Sequence, residues 1–148
     1  MRIALDTNIL AYAAGLNDSA RKQVAAELVR KLPQDNVFIP VQAMAELFYV
    51  LVTKAALPGT EAKAIILKWC DQYPLIETSQ SVLLAAIELS SQHNLRIWDA
   101  IMMATSASAE CRLLISEDMH NGFTWNGVTV VNPFSKKPHE LLTQAMGL

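Results

Sequence analysis

Scarcity narrows the chemistry of this chain first. It has two cysteines, Cys70 and Cys111, far apart and outside any CxxC pair, so a disulfide framework is not expected and both are read as reduced, packed thiols. The three histidines, His93, His120 and His139, show no ligand spacing such as HExxH, which argues against zinc. Charged residues make up 18% of the chain and the net charge is −2, leaving no basic stripe of the kind that grips duplex nucleic acid. No apolar run approaches the roughly 18 residues of a membrane span. The first residues lack a signal peptide's charged, apolar and cleavage regions in series, so a cytoplasmic protein with no membrane partner is expected. Repeats, low-complexity tracts and long linkers are also missing, and residues 1–148 are read as one domain.

What is present is a regular alternation. Short runs rich in Ile and Val alternate with longer stretches of helical period. Strands are expected at Ile3–Asp6, Val37–Ile39, Leu75–Glu77, Leu113–Ser116 and Val128–Val131. Helices are expected near Asn8–Ala14, Ser19–Leu32, Val41–Ala55, Thr60–Gln72, Ser79–His93, Ile97–Ala109 and Pro138–Met146. Asp18 or Ser19 caps the second helix, and Pro58-Gly59 breaks the chain before the fourth. Strands separated by helices imply an α/β fold with a mainly parallel sheet covered on both faces. In such sheets ligands bind beyond the carboxyl ends of the strands, where strand order reverses.

Against that frame four acids stand in apolar company. Asp6 follows the run Ile3-Ala4-Leu5, where a helix cap and a charged functional group are both open readings. Glu46 is the one acid between Val41 and Thr53; with Gln42, Tyr49 and Thr53 it forms a polar stripe that either faces water or lines a cleft. Asp99 is the only charged residue from Ile97 to Ala109, placed where a helix dipole favours it but flanked by Trp98, Ile101, Met102 and Met103. Asp118 closes the Ser116-Glu117-Asp118 triplet after the fourth strand, a normal site for a turn or cap. The fold brings all four to one rim. Two carboxylates about 4 Å apart repel by about 4 kcal/mol at an effective dielectric of 20, so clustering requires protons or cations, and oxygen-only ligands select Mg²⁺ or Mn²⁺.

The segments ALDTNIL, AELFYVL, IWDAIMMATS and LLISEDMHNGF carry a family resemblance. In order and placement they are similar to the four motif regions of the PIN-domain nucleases, closest to the VapC-type toxins, over Met1 to about Phe134. The resemblance implies a three-layer α/β/α sandwich with a short, mainly parallel sheet of four or five strands and a metal-dependent endoribonuclease site. It makes Asp6 and Asp99 the chief Mg²⁺ ligands, with Glu46 and Asp118 completing the acidic pocket. Thr7, Asn8 and Ser116 match polar positions that bond these carboxylates or the scissile phosphate. RNA hydrolysis leaving a 5′-phosphate and a 3′-hydroxyl is implied, with Glu46 or Asp118 placing or deprotonating the attacking water. So are a homodimer and a small antitoxin protein, for which VQAMAELFYVLV and AIILKWC offer apolar surfaces.

Without the four acids the remaining charge is positive, so basic groups such as Arg96 can attract phosphate, and His120 stands close to Asp118. Tyr12 is a candidate for base stacking or for packing, and single-stranded or looped RNA suits an exposed acidic cleft better than duplex DNA. Four other readings compete. A dehalogenase-like phosphatase would want a second aspartate where Asn8 stands, and a receiver domain would want an acidic pair after the first strand. A non-catalytic scaffold of the same fold would use the acids as helix caps, and an RNA-processing PIN nuclease would share the chemistry without being a toxin.

Overall fold

A computed structural model describes residues 1–16 and 19–147. Among them the order is β1 (Arg2–Leu5), α1 (Thr7–Ala13), α2 (Ser19–Lys31), a 3₁₀ turn (Gln34–Asn36), β2 (Val37–Pro40), α3 (Val41–Thr53) and α4 (Gly59–Gln72). There follow β3 (Leu75–Ile76), α5 (Gln80–His93), α6 (Ile97–Ser108), β4 (Cys111–Ile115), β5 (Thr124–Trp125), β6 (Val128–Val131) and α7 (Glu140–Ala145). The expected cap at Asp18 lies outside the described residues.

The sheet runs β3-β2-β1-β4-β6-β5. Every neighbouring pair is parallel except β5 with β6. From β1 the chain steps outward to β2 and β3, then returns across β1 to β4. Right-handed crossovers therefore put α1–α4 on one face and α5–α6 on the other. The packing agrees: α1 lies against α2 and α3, while α6 lies against β2, β4 and β6 and carries α5 on its back. β1 and β4 are covered on both faces, which is why Ile3, Ala4, Leu5, Leu113, Leu114 and Ile115 are all fully buried and their runs are continuously apolar.

The sheet has six strands among the described residues, a correction to the four or five expected. The unforeseen one is β5, which folds back on β6 through Asn126-Gly127, with φ of 46° and 82°. That dipeptide is the preferred centre of a two-residue hairpin turn, because both positions need positive φ. Asp6 also moves: it ends no strand but caps α1, its side chain accepting from Thr7 N. The strand stops there because the carboxylate captures the next amide and turns the backbone into the helix. Cys70 and Cys111 are free thiols, the latter buried and pushed up to about 11 by that burial.

Candidate active site

The strand order reverses between β1 and β4, and the two chain segments leaving those strands meet there. Asp6 N donates to the Ile115 carbonyl at 3.0 Å, and Ser116 N to the Val131 carbonyl at 3.0 Å. These bonds extend the ladders one residue past each strand and fix both side chains at the carboxyl rim. Asp6 is buried, 7% exposed, and both of its oxygens are engaged. Thr7 N donates to Oδ1 at 2.7 Å and the Ser116 hydroxyl to Oδ2 at 2.6 Å. Burial dominates its acidity and raises the carboxyl from 3.8 to about 6. The two hydrogen bonds pull it back, and the charges of Glu46 and Asp99 push it up again.

Glu46 reaches the same rim from α3. The Thr7 hydroxyl donates to its Oε2 at 2.7 Å and Gln42 Nε2 to its Oε1 at 2.6 Å. Thr7 is thus a joint between two acids, its amide on Asp6 and its hydroxyl on Glu46. Gln42 also approaches the Trp98 carbonyl at 3.4 Å, which ties the start of α3 to the start of α6. The polar stripe of α3 therefore divides: Gln42 and Glu46 are half-buried toward the rim, while Tyr49 and Thr53 face outward.

Asp99 stands in the first turn of α6, whose N-cap residue Arg96 supplies no side-chain cap. Partial burial raises its carboxyl, the Arg96 charge lowers it, and Asp118 and Glu46 raise it further. Asp118 itself is exposed on the loop after β4, and Arg96 and His120 are exposed too. Asp6 thus feels the charges of Glu46 and Asp99, and Asp99 those of Asp118 and Glu46. Asn8 Oδ1 accepts from Glu117 N at 3.4 Å, while its Nδ2 is buried and unpaired among the described residues. An acceptor such as a phosphate oxygen would relieve that donor, whose isolation costs about 1–3 kcal/mol.

The donor set is all oxygen and fits a hard divalent ion. Among the described residues, however, no three His, Cys, Asp or Glu side chains are gathered into a ready cage. The hydrogen bonds explain the spread: with like charges facing one another, Asp6 leans on Ser116 and Glu46 on Thr7 and Gln42. Surface hollows lie elsewhere, for instance one of about 490 Å³ near Glu110, Arg112 and Thr129.

Two features here carry no local signal in the sequence. The polar stripe of α3 includes Gln42 but does not announce its link to α6. Glu117, in a triplet of turn-forming type, is paired with Arg21 Nε at 3.1 Å, a contact that no local pattern announces. Tyr12 packs edge-on against Phe134, with ring centroids 5.4 Å apart.

A mainly parallel sheet with Asp6 and Ser116 at its topological switch point defines the class: an α/β fold of the kind that binds ligands beyond the carboxyl ends of its strands. The family follows from comparison. A PIN domain family model matches residues 3–120, and the chain belongs to that family of nucleases. A comparison with curated proteins gives no significant match. Among solved structures, a toxin–antitoxin complex from Klebsiella pneumoniae is similar at 21% identity and TM-score 0.66, covering 89% of this chain and 98% of its own. A Mycobacterium tuberculosis VapC20, described as a toxin that cleaves the sarcin–ricin loop, is similar at 18% identity and TM-score 0.65, covering 76% and 86%. FitAcB from Neisseria gonorrhoeae is similar at 17% identity and TM-score 0.62, covering 89% and 98%. No helix of the described residues is long and apolar enough to cross a membrane.

Proposed function

We propose that this chain, acting as one domain over residues 1–148, is a divalent-metal-dependent endoribonuclease and the toxin of a toxin–antitoxin pair. The observation that carries the chemistry is the buried Asp6 at the switch point, electrostatically coupled to Glu46 and Asp99. Asp6 and Asp99 would hold Mg²⁺ or Mn²⁺, with Glu46 and Asp118 beside them. When bound, such an ion polarises the phosphoryl oxygen and acidifies a water. Glu46 or Asp118 orients the attacking water and takes its proton. Attack in line with the ribose 3′-oxygen leaves a 5′-phosphate and a 3′-hydroxyl. Arg96, His120 and the Asn8 amide, whose Nδ2 is buried without a partner among the described residues, would meet phosphate oxygens around the acids.

The test is cleavage of single-stranded and stem-loop RNAs by the purified protein with Mg²⁺ or Mn²⁺. Cuts that stop on addition of EDTA, and 5′-phosphorylated products, are expected. A protein that cuts no RNA and binds no divalent ion supports the scaffold reading instead.

The toxin role draws on the neighbours, which include toxin–antitoxin complexes. Co-expression with the protein encoded by an adjacent small gene should suppress RNA cutting; cutting undiminished by it favours an RNA-processing role. For the homodimer, α3 offers Phe48 and Tyr49, the latter 66% exposed, and α5 offers Leu83, Leu84 and Ile87. Large apolar groups so exposed suit a self-complementary contact. Light scattering should give a dimer for wild type and a monomer for Phe48→Glu/Tyr49→Glu; an unchanged mass would put the contact elsewhere.

A further inference from the structure

Glu117 lies between two site residues, Ser116 and Asp118, yet its side chain turns away from the acids. Its carboxylate takes Arg21 Nε on both oxygens, at 3.2 and 3.1 Å, and the Tyr12 hydroxyl at 3.4 Å. The Arg21 guanidinium lies 5.3 Å from the Phe134 ring centroid and 6.0 Å from that of Tyr12, within cation–π range of both. Meanwhile Glu117 N rests on Asn8 Oδ1. Three other parts of the chain, α1, α2 and the segment holding Phe134, thus meet at the Glu117–Arg21 pair beside the loop that carries Asp118.

Such a pair adds little stability. The two side chains are 39% and 21% exposed, and ion pairs in that setting are largely offset by solvation and side-chain entropy. What the arrangement does fix is direction. Both the amide and the carboxylate of Glu117 are held, the first by Asn8 and the second by Arg21 and Tyr12, which restrains the residues before and after it. A guanidinium can stand within cation–π range of both rings while donating through Nε to a carboxylate; a lysine ammonium lacks that fixed, planar arrangement of donors.

We propose that the Glu117–Arg21 clamp is a positioning device for catalysis: it holds the Ser116–Asp118 loop so that Ser116 stays on Asp6 and Asp118 faces Asp99. This rests on the nuclease reading for its effect on rate, but not for its effect on the loop. Arg21→Lys keeps the charge and loses the geometry; Glu117→Gln keeps the shape and loses the charge. Each is expected to lower kcat on an RNA that wild type cuts by roughly 10- to 100-fold, as outer supports of ligand carboxylates do, with KM within about twofold. The double variant should fall by clearly less than the product of the two single effects, because both variants disrupt the shared Glu117–Arg21 contact. Rates are read with Mn²⁺ well below every melting point, where a residue that merely stabilises the fold would leave kcat unchanged.

Hydrogen exchange supplies the readout that needs no activity. The amides of residues 116–121 should exchange faster in both variants than in wild type. If Arg21→Lys does not fold, Tyr12→Phe, which removes only the hydroxyl on Glu117, should speed exchange in the same segment by a smaller factor. Unchanged exchange there, or kcat within twofold of wild type in the folded variants, overturns the clamp. A wild-type protein that cuts no RNA overturns the nuclease reading, and exchange alone then decides the clamp.

Discussion

Asp6→Asn is expected to lose RNA cleavage by roughly a thousandfold or more, about 4 kcal/mol in the barrier, while melting higher than wild type in metal-free buffer at pH 8. The two effects have one cause. Asp6 is buried against the sheet, and its carboxyl is raised from 3.8 to about 6 chiefly by that burial, with Glu46 and Asp99 adding repulsion. A folded pKa above the unfolded one means the folded state holds the proton more tightly. The group's favourable contribution is therefore complete below 3.8 and is lost as the pH rises through about 6. Above that, the charged form costs about 2–3 kcal/mol, since each unit of pKa is worth about 1.36 kcal/mol. Asparagine removes the charge and keeps the bonding: its Oδ1 still accepts from Thr7 N, and its Nδ2 can donate to a reoriented Ser116 hydroxyl. Denaturant titrations at pH 8 and pH 4 measure the effect, with the gain expected at the first and absent at the second. A variant less stable than wild type at both would show that Asp6 is held for the fold and not for the chemistry.

Added Mn²⁺ is expected to raise the melting temperature of wild type at pH 7.5 and to leave Asp6→Asn and Asp99→Asn nearly unmoved. At a concentration a hundred times the dissociation constant the gain is about 2.7 kcal/mol, or roughly 5–10 °C for a chain of this size. On the proposed reading the ion would supply the countercharge that Asp6, Glu46, Asp99 and Asp118 lack among themselves, and so would bind the folded rim and not the unfolded chain. Because it must displace the proton from Asp6, the gain should shrink as the pH falls below about 6. Thermal scans with and without Mn²⁺ at pH 7.5 and pH 5 check both statements. An equal rise in all three proteins would mean that the ion acts on the general surface and that these carboxylates do not hold it.

Much of the molecule was legible because its signals are local. Ile3-Ala4-Leu5 and Leu113-Leu114-Ile115 are continuously apolar, which a strand covered on both faces requires, and helices of clear period separate them. The same alternation implied a parallel sheet, and with it a rim where Asp6 and Asp118 would stand. β5 escaped attention because two residues carry no period, although Asn126-Gly127 is a hairpin signal that could have found it. The division of the α3 stripe was illegible for another reason: Gln42 and Tyr49 lie on one helix face, and only the position of α6 makes one half-buried and the other exposed.

The sequence by itself determined the alternation of strands and helices, the all-oxygen chemistry of the acids and, through Asp6, the cap that turns the first strand into a helix. Those follow from backbone propensity and from side-chain type within a few residues. Tertiary structure alone decided that Thr7 would join Asp6 to Glu46, that Ser116 would bond a carboxylate far away in the chain, and that Arg21 would hold Glu117 across two aromatic rings. Hydrogen bonds and ion pairs depend on distances of a few ångströms between groups remote in sequence, and those distances are set by how whole helices pack on the sheet.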